Sequence, residues 1–195
     1  MKEQSPIRRV VLAVTGASGM PYAVALAREL ARAPDVEPHL ILSDAAKLVL
    51  SLESEVTADE LASMAHAAYG QKDLDAPPAS GSWRHAGMVV CPCSMASLAA
   101  IASGLGSNLI HRAADVALKE RRPLILVPRE TPLNRMHLKN MLAADEAGAE
   151  IIPAAPGFYH RPGTIDDLVD FIVARILDRL HIEHTLVPGW KEETT

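Results

Sequence analysis

Val10-Val11-Leu12-Ala13-Val14-Thr15-Gly16-Ala17-Ser18-Gly19-Met20-Pro21 begins as an unbroken apolar run and then breaks into small residues before a proline. An apolar run without alternation suits a strand buried on both faces, as in the interior of a parallel sheet. The small residues allow a tight turn into a helix that Pro21 helps to start, and they let backbone N–H groups approach an anion at the positive helix end. The GxGxxG spacing of dinucleotide-binding turns is absent, so the stretch predicts a phosphate nearby and nothing finer. Asp44, after the next apolar run, stands where a ribose-binding carboxylate would.

Outward from this stretch the pattern repeats. Leu40–Leu42, Met88–Val90, Leu124–Val127 and Glu150–Ile152 read as further short strands, with helix-length segments at 20–33, 44–54, 57–68, 94–103, 108–121 and 135–147. Such alternation predicts an α/β fold, a Rossmann-like doubly wound open parallel sheet. A last helix follows Thr164-Ile165-Asp166-Asp167, which resembles a capping box. Its stripe of Ile165, Leu168, Val169, Ile172, Val173, Ile176, Leu177 and Leu180 predicts a core face, with Phe171 outside it and Arg175 one turn further on. Tyr69 to His85, with Pro77-Pro78-Ala79-Ser80-Gly81-Ser82 inside it, reads as one long loop. The expected organisation is a single domain over 1–180 and a C-terminal extension over 181–195, with Trp190 its large apolar anchor.

Composition narrows the function classes. The chain of 195 residues is 49% hydrophobic and only 4% aromatic, which favours an aliphatic layered α/β core over an aromatic-rich sandwich. A net charge of −5 offers no footprint for nucleic acid. No apolar run approaches the roughly 20 residues of a membrane helix, and the N-terminus lacks a signal-peptide pattern, so a cytoplasmic protein is expected. Cys91 and Cys93, separated by Pro92, fit neither a redox pair nor a usual zinc half-site and read as buried reduced thiols.

The chemistry-bearing residues gather after the predicted strands. Ser18, Ser43, Ser94, the pair Arg129-Glu130 and Tyr159 all follow strand ends, where open parallel sheets form their ligand crevice. Ser94 and Ser97 lie three apart at a helix start, so their hydroxyls suit one anion, although simple N-capping by Ser94 accounts for the same spacing. Arg112, Asp115 and Lys119 share a helical face and by spacing alone read as a solvated ion-pair ladder. The prolines flanking Arg129-Glu130 stiffen that connection, and Pro156-Gly157-Phe158-Tyr159 does the same after the final strand.

Several of these segments together resemble a known family. They are Thr15-Gly16-Ala17-Ser18-Gly19, Pro78-Ala79-Ser80-Gly81-Ser82, Cys91-Pro92-Cys93-Ser94, the run from Arg112 to Leu124, Val127-Pro128-Arg129-Glu130 and Ala154-Ala155-Pro156-Gly157-Phe158-Tyr159. Over residues 8–190 the chain resembles UbiX-type flavin prenyltransferases, formerly described as aromatic acid decarboxylase subunits. The resemblance implies a flavoprotein that binds FMN and assembles as a homododecamer of trimers, with active sites built across subunits. It implies FMN contacts from Gly16, Ala17, Ser18, Ser43, Ser94, Met95, Ala96, Ser97 and Arg129. It implies a prenyl-phosphate site from Arg112, Lys119, Arg129, Glu130, Tyr159, Arg175 and Trp190, and chemical roles for Ser18, Glu53, Lys119 and Glu130. Met95-Ala96 and His111 depart from the residues common in the family at those positions.

The implied reaction joins the dimethylallyl group of dimethylallyl monophosphate to N5 and C6 of reduced FMN, giving prenylated FMN for a UbiD-type decarboxylase. No Asp-rich diphosphate-and-magnesium motif is present, in keeping with a metal-free reaction. Two related alternatives are a flavin-dependent cysteine-type decarboxylase and a non-catalytic FMN carrier subunit. The first relies on a histidine and a Pro-x-Met-Asn segment that Pro132-Leu133-Asn134-Arg135-Met136 matches only loosely, and His39 is read as preceding the second strand, at its wrong end. A nicotinamide dehydrogenase lacks support, because no Tyr-x-x-x-Lys pair follows Tyr22, Tyr69 or Tyr159.

Overall fold

Alternate residues of the first strand enter two separate cores. In the computed structural model, which describes residues 7–187, β1 spans Arg8–Val14. Val10, Leu12 and Val14 join one buried cluster, and Val11 and Ala13 join another. The period of two along a strand produces this division, so helices must cover both faces. The first cluster is closed by α1 (Met20–Arg32), α2 (Asp44–Glu53), α3 (Ala58–Ser63) and α7 (Ile165–Arg179). The second is closed by α4 (Met95–Ala102), α5 (Leu109–Lys119) and α6 (Arg135–Glu146).

The remaining strands are β2 (Val36–Leu42), β3 (Ala67–Gly70), β4 (Gly87–Cys93), β5 (Leu124–Pro128) and β6 (Glu150–Ile151). All pairings are parallel, and the six strands lie in the order β3-β2-β1-β4-β5-β6. The order reverses between β1 and β4, which sets the ligand crevice of such a sheet at their carboxyl ends. The fold class is the one expected. No helix among the described residues is long and apolar enough to cross a membrane.

Several local expectations change. The segment read as a helix over 57–68 ends at Ser63, and Ala67–Gly70 forms the edge strand β3. Its alanines carry no strand signal of their own; pairing with His39–Leu42 of β2 makes it a strand. The long loop therefore begins later and contains a short 3₁₀ turn at Pro77–Ala79. His39 lies inside β2, not before it. In α7 the capping box is present, with Thr164 and Asp167 bonded reciprocally. Ile165, however, is 74% exposed, because the first helical turn stands clear of the sheet. Phe171 is half-buried and packs on the first cluster.

Cys91 and Cys93 are fully buried and unpaired. Burial pushes the Cys91 thiol well above its ordinary range and that of Cys93 up to about 12, so neither is a nucleophile.

Candidate functional site

The crevice begins with a threonine that ties two strand ends together. Thr15, 1% exposed, donates its hydroxyl to the Pro92 carbonyl at 2.7 Å and accepts from the Ser94 N–H at 2.8 Å. Its own N–H reaches the same carbonyl at 3.3 Å. Pro92 supplies no N–H to the ladder, and the β4–β5 register shifts between Val90 and Cys93. Thr15 thus holds β1 and β4 together where the sheet pairing is irregular. Sequence reasoning read Thr15 only as part of the turn; its partner lies 77 positions away, and no local signal announces it.

The next layer is a carboxylate. Glu53, the last residue of α2, accepts from the N–H groups of Gly19 at 2.8 Å and Met20 at 3.0 Å. These belong to the free amino end of α1, the place where the glycine turn predicts a phosphate. The protein's own carboxylate takes them, so these two N–H groups are not open to a phosphate. Burial works to raise the Glu53 pKa, but the Ser18 hydroxyl, the two N–H groups and the Arg129 guanidinium together hold it below the usual carboxylate range. Arg129, just past β5, donates from Nε to the Ser18 carbonyl at 3.0 Å. Ser18, Glu53 and Arg129 are one bonded unit drawn from three elements.

Gly19 has φ +118°, a conformation costly for other residues, and makes the sharp entry to α1 possible. At Gly16 an added Cβ would lie 2.5 Å from the Cβ of Ala45, so the missing side chain serves the packing of the turn on α2.

Beyond this unit the start of α4 gathers donors suited to an anion. Ser94 caps α4, accepting from the Ser97 N–H at 3.2 Å and donating to the Ser97 hydroxyl at 3.1 Å. Capping and the proposed anion contact are therefore compatible, because the first N–H groups of a helix, here those of Met95 and Ala96, have no intrahelical acceptor. Ser43 caps α2 through the Ala46 N–H at 3.0 Å. Asp44 bonds Gln71 at 2.9 Å and pairs loosely with Lys72 at 3.8 Å, outside the crevice. The donor set at α4 suits a phosphate, and the Ser18–Glu53 end, rich in acceptors, suits an N–H group.

The residues expected at the prenyl phosphate do not all meet within one chain. Glu130, exposed beside Arg129, accepts from the Thr131 N–H at 3.0 Å. Tyr159 meets Phe171 edge-on at 5.7 Å, while Arg175, one turn further along α7, pairs with Asp178 at 2.9 Å. Lys119 closes α5, just before β5 opens at Leu124, so it is level with the amino ends of the strands. Its neighbour there is Glu120 at 3.5 Å, beside the loop that Arg122 holds through the carbonyls of Gly81 at 2.6 Å and Trp83 at 2.8 Å. Roughly the length of β5, on the order of 15 Å, separates Lys119 from Glu130. Arg112 sits in the first turns of α5, 3.5 Å from Asp115; Lys119 does not extend that pair into a ladder. His111 is buried and bonded to Ser107 at 3.0 Å. Trp190 lies outside the described residues.

Comparison with known proteins identifies the family. The profile of the Flavoprotein family matches residues 1–177. Flavin prenyltransferase UbiX of Pseudomonas aeruginosa is 48% identical over 199 aligned residues, covering 95% of each chain. The crystal structure of AnUbiX (PadA1) in complex with FMN and dimethylallyl pyrophosphate superimposes with a TM-score of 0.93 at 43% identity, covering 96% of this chain and 99% of that one. A dodecameric FMN-dependent UbiX-like decarboxylase from Escherichia coli O157:H7 gives a TM-score of 0.92 at 44% identity, covering 94% and 99%. Similarity of that extent, carried along nearly the whole length of both chains, makes this protein a member of the UbiX flavin prenyltransferase family of flavoproteins.

Proposed function

We propose that this chain is a flavin prenyltransferase that joins the dimethylallyl group of dimethylallyl monophosphate to N5 and C6 of reduced FMN. The observation that carries the reading is the bonded unit of Ser18, Glu53 and Arg129 at the switch point, flanked by the donor-rich start of α4. FMN fits this division: its phosphate suits Ser43, Ser94, Ser97 and the free N–H groups of Met95 and Ala96, and its ring suits the Gly16–Ser18 turn. When bound in reduced form it supplies the nucleophilic N5 and C6 atoms.

The chain's own groups divide the remaining work. Arg129 and Arg175, with Tyr159 and a Lys119 supplied by a neighbouring protomer, hold the phosphate and stabilise charge as the allylic C–O bond breaks. Supply of Lys119 from a neighbour rests on its place at the amino end of the sheet in its own chain. Arg112 and Trp190 are assigned to the same site. Glu53 is held ionised, so its role is to orient Ser18 and balance positive charge near N5. Glu130, exposed just past β5, supplies the carboxyl group that moves a proton during ring closure. The assembly is a homododecamer, as in the Escherichia coli relative, and prenylated FMN passes to a UbiD-type decarboxylase. Two unpaired buried thiols suit a reducing, cytoplasmic setting.

The test is anaerobic incubation of the protein with reduced FMN and dimethylallyl monophosphate, without added metal, followed by mass spectrometry of the bound flavin. The expected result is a gain of one dimethylallyl unit that Glu130→Gln abolishes. FMN bound yet unmodified, under conditions where a known prenyltransferase works, would instead favour the carrier or cysteine-type decarboxylase reading. Against the latter, His39 lies in β2 with Nδ1 bonded to Tyr69 at 3.2 Å, away from the crevice.

A further inference from the structure

We propose that Glu37, His39 and His66 form a binding site for a divalent transition-metal ion of the zinc class, at the amino end of the sheet and apart from the flavin crevice. Glu37 and His39 are two apart on β2 and therefore share a face. His66 comes just before β3, where its N–H bonds the Pro38 carbonyl at 2.8 Å and brings its ring beside that of His39, with centroids 5.4 Å apart. One ligand atom from each of the three residues lies within 4.8 Å of the others. Zinc bonds of about 2.1 Å to nitrogen and oxygen place tetrahedral ligands about 3.4 Å apart. Small rotations of the half-buried Glu37 and exposed His66 close the difference.

The orphaned nitrogen of His39 points to a ligand independently of this clustering. His39 is 5% exposed, and its Nε2 is buried with no hydrogen-bond partner. Leaving such an atom unmatched is costly. Its other ring nitrogen, Nδ1, is 3.2 Å from the Tyr69 hydroxyl. If that nitrogen carries the proton, Tyr69 fixes the tautomer in which Nε2 presents a lone pair, the usual outer-shell arrangement of a metal-bound imidazole. Trp83 meets the ring edge-on at 4.7 Å and holds its orientation. Two imidazoles and one carboxylate suit zinc, and three protein ligands leave a position for water on the exposed His66 side. Arg9, 3.5 Å from Glu37 and 5.4 Å from the Trp83 ring centre, opposes a cation here. Because Glu37 and His66 are separated in sequence by 29 positions (66 − 37), no spacing motif reveals the set.

The test uses full-length, tag-free protein, stripped with chelator and titrated with Zn²⁺ by calorimetry and with Co²⁺ by visible absorption. One equivalent per chain is expected, with the intense absorption of a low-coordinate cobalt site. His66→Ala and Glu37→Gln should each weaken binding by about tenfold or more, and Tyr69→Phe by up to about tenfold through loss of the tautomer lock. Arg9→Gln should strengthen it. FMN content, unchanged in His66→Ala, verifies that the variant is folded. Binding of much less than one equivalent would overturn the proposal. So would stoichiometric binding that survives both ligand substitutions, which would move the ion to another group such as His184 and Asp178, 3.1 Å apart.

Discussion

The flavin crevice and the Glu37–His39–His66 cluster, at the two ends of the parallel sheet, treat their polar groups differently. At the carboxyl end Thr15, Ser18, Ser43, Glu53, Ser94 and Arg129 bond to one another or to nearby backbone. At the amino end His39 Nε2 and His85 Nδ1 are buried with no partner, whereas at the carboxyl end the unmatched ring is that of His160, beside Tyr159 and outside this bonded set. The first arrangement holds a rigid cradle ready for a ligand, since its parts keep one geometry without it. The second carries a desolvation cost that a ligand or a proton would change. A flavoenzyme site and a metal site on one sheet are thus distinguished by whether their polar atoms are already matched.

The largest expected effects test how the crevice is completed. Glu130→Gln and Lys119→Ala should each lower prenylated-FMN formation by about 10²-fold or more. If Lys119 comes from a neighbouring protomer, unfolding and reassembling an equal mixture of the two variants restores about a quarter of the sites, the fraction in which both native residues meet. No recovery in a correctly assembled mixture would place both groups in one chain's site.

Thr15→Val, next in size, keeps the shape and leaves the Pro92 carbonyl and Ser94 N–H without Thr15 Oγ1. A loss of about 1–3 kcal/mol is expected, a fall in melting temperature of about 3–10 °C by calorimetry. A comparable surface change, Arg112→Ala, should alter stability by less than about 0.5 kcal/mol, so a drop in its turnover would report on phosphate binding.

The amino end yields a pH prediction. Burial, and after it the Arg122 charge, lowers His85 from 6.5 to about 4. Below pH 6.5 the unfolded chain takes up a proton that the folded chain refuses, so stability present above that pH declines as pH falls towards 4. Glu53, also lowered on folding, adds to the loss at more acid pH. Replacing His85 by Phe should flatten the decline between pH 6.5 and 4 in denaturant titrations, and an unchanged slope would assign it to other groups.

Much of the fold was legible. The apolar runs mark five of the strands, and the helix-length segments match the observed helices to within a few residues except at α3. Periodicity carries that information because burial on two faces imposes it locally. β3 escaped because Ala67-Ala68-Tyr69-Gly70 becomes a strand only beside β2. The residues that gather after the strands were legible for the same reason as the strands, but not their bonding: Ser18 and Glu53 are neighbours only because α2 returns to the start of α1.

By itself the sequence determined the parallel α/β architecture, the family, and which strand ends carry hydroxyls, an arginine and a carboxylate, since each depends on residues close together in the chain. Only the tertiary structure decided that Glu53, not a phosphate, caps α1, that Thr15 ties β1 to β4, that Lys119 stands at the opposite end of the sheet from Glu130, and that His39 and His66 face one another with Glu37. Those facts depend on contacts between residues distant in sequence, where geometry is set by how the layers pack and not by any local preference.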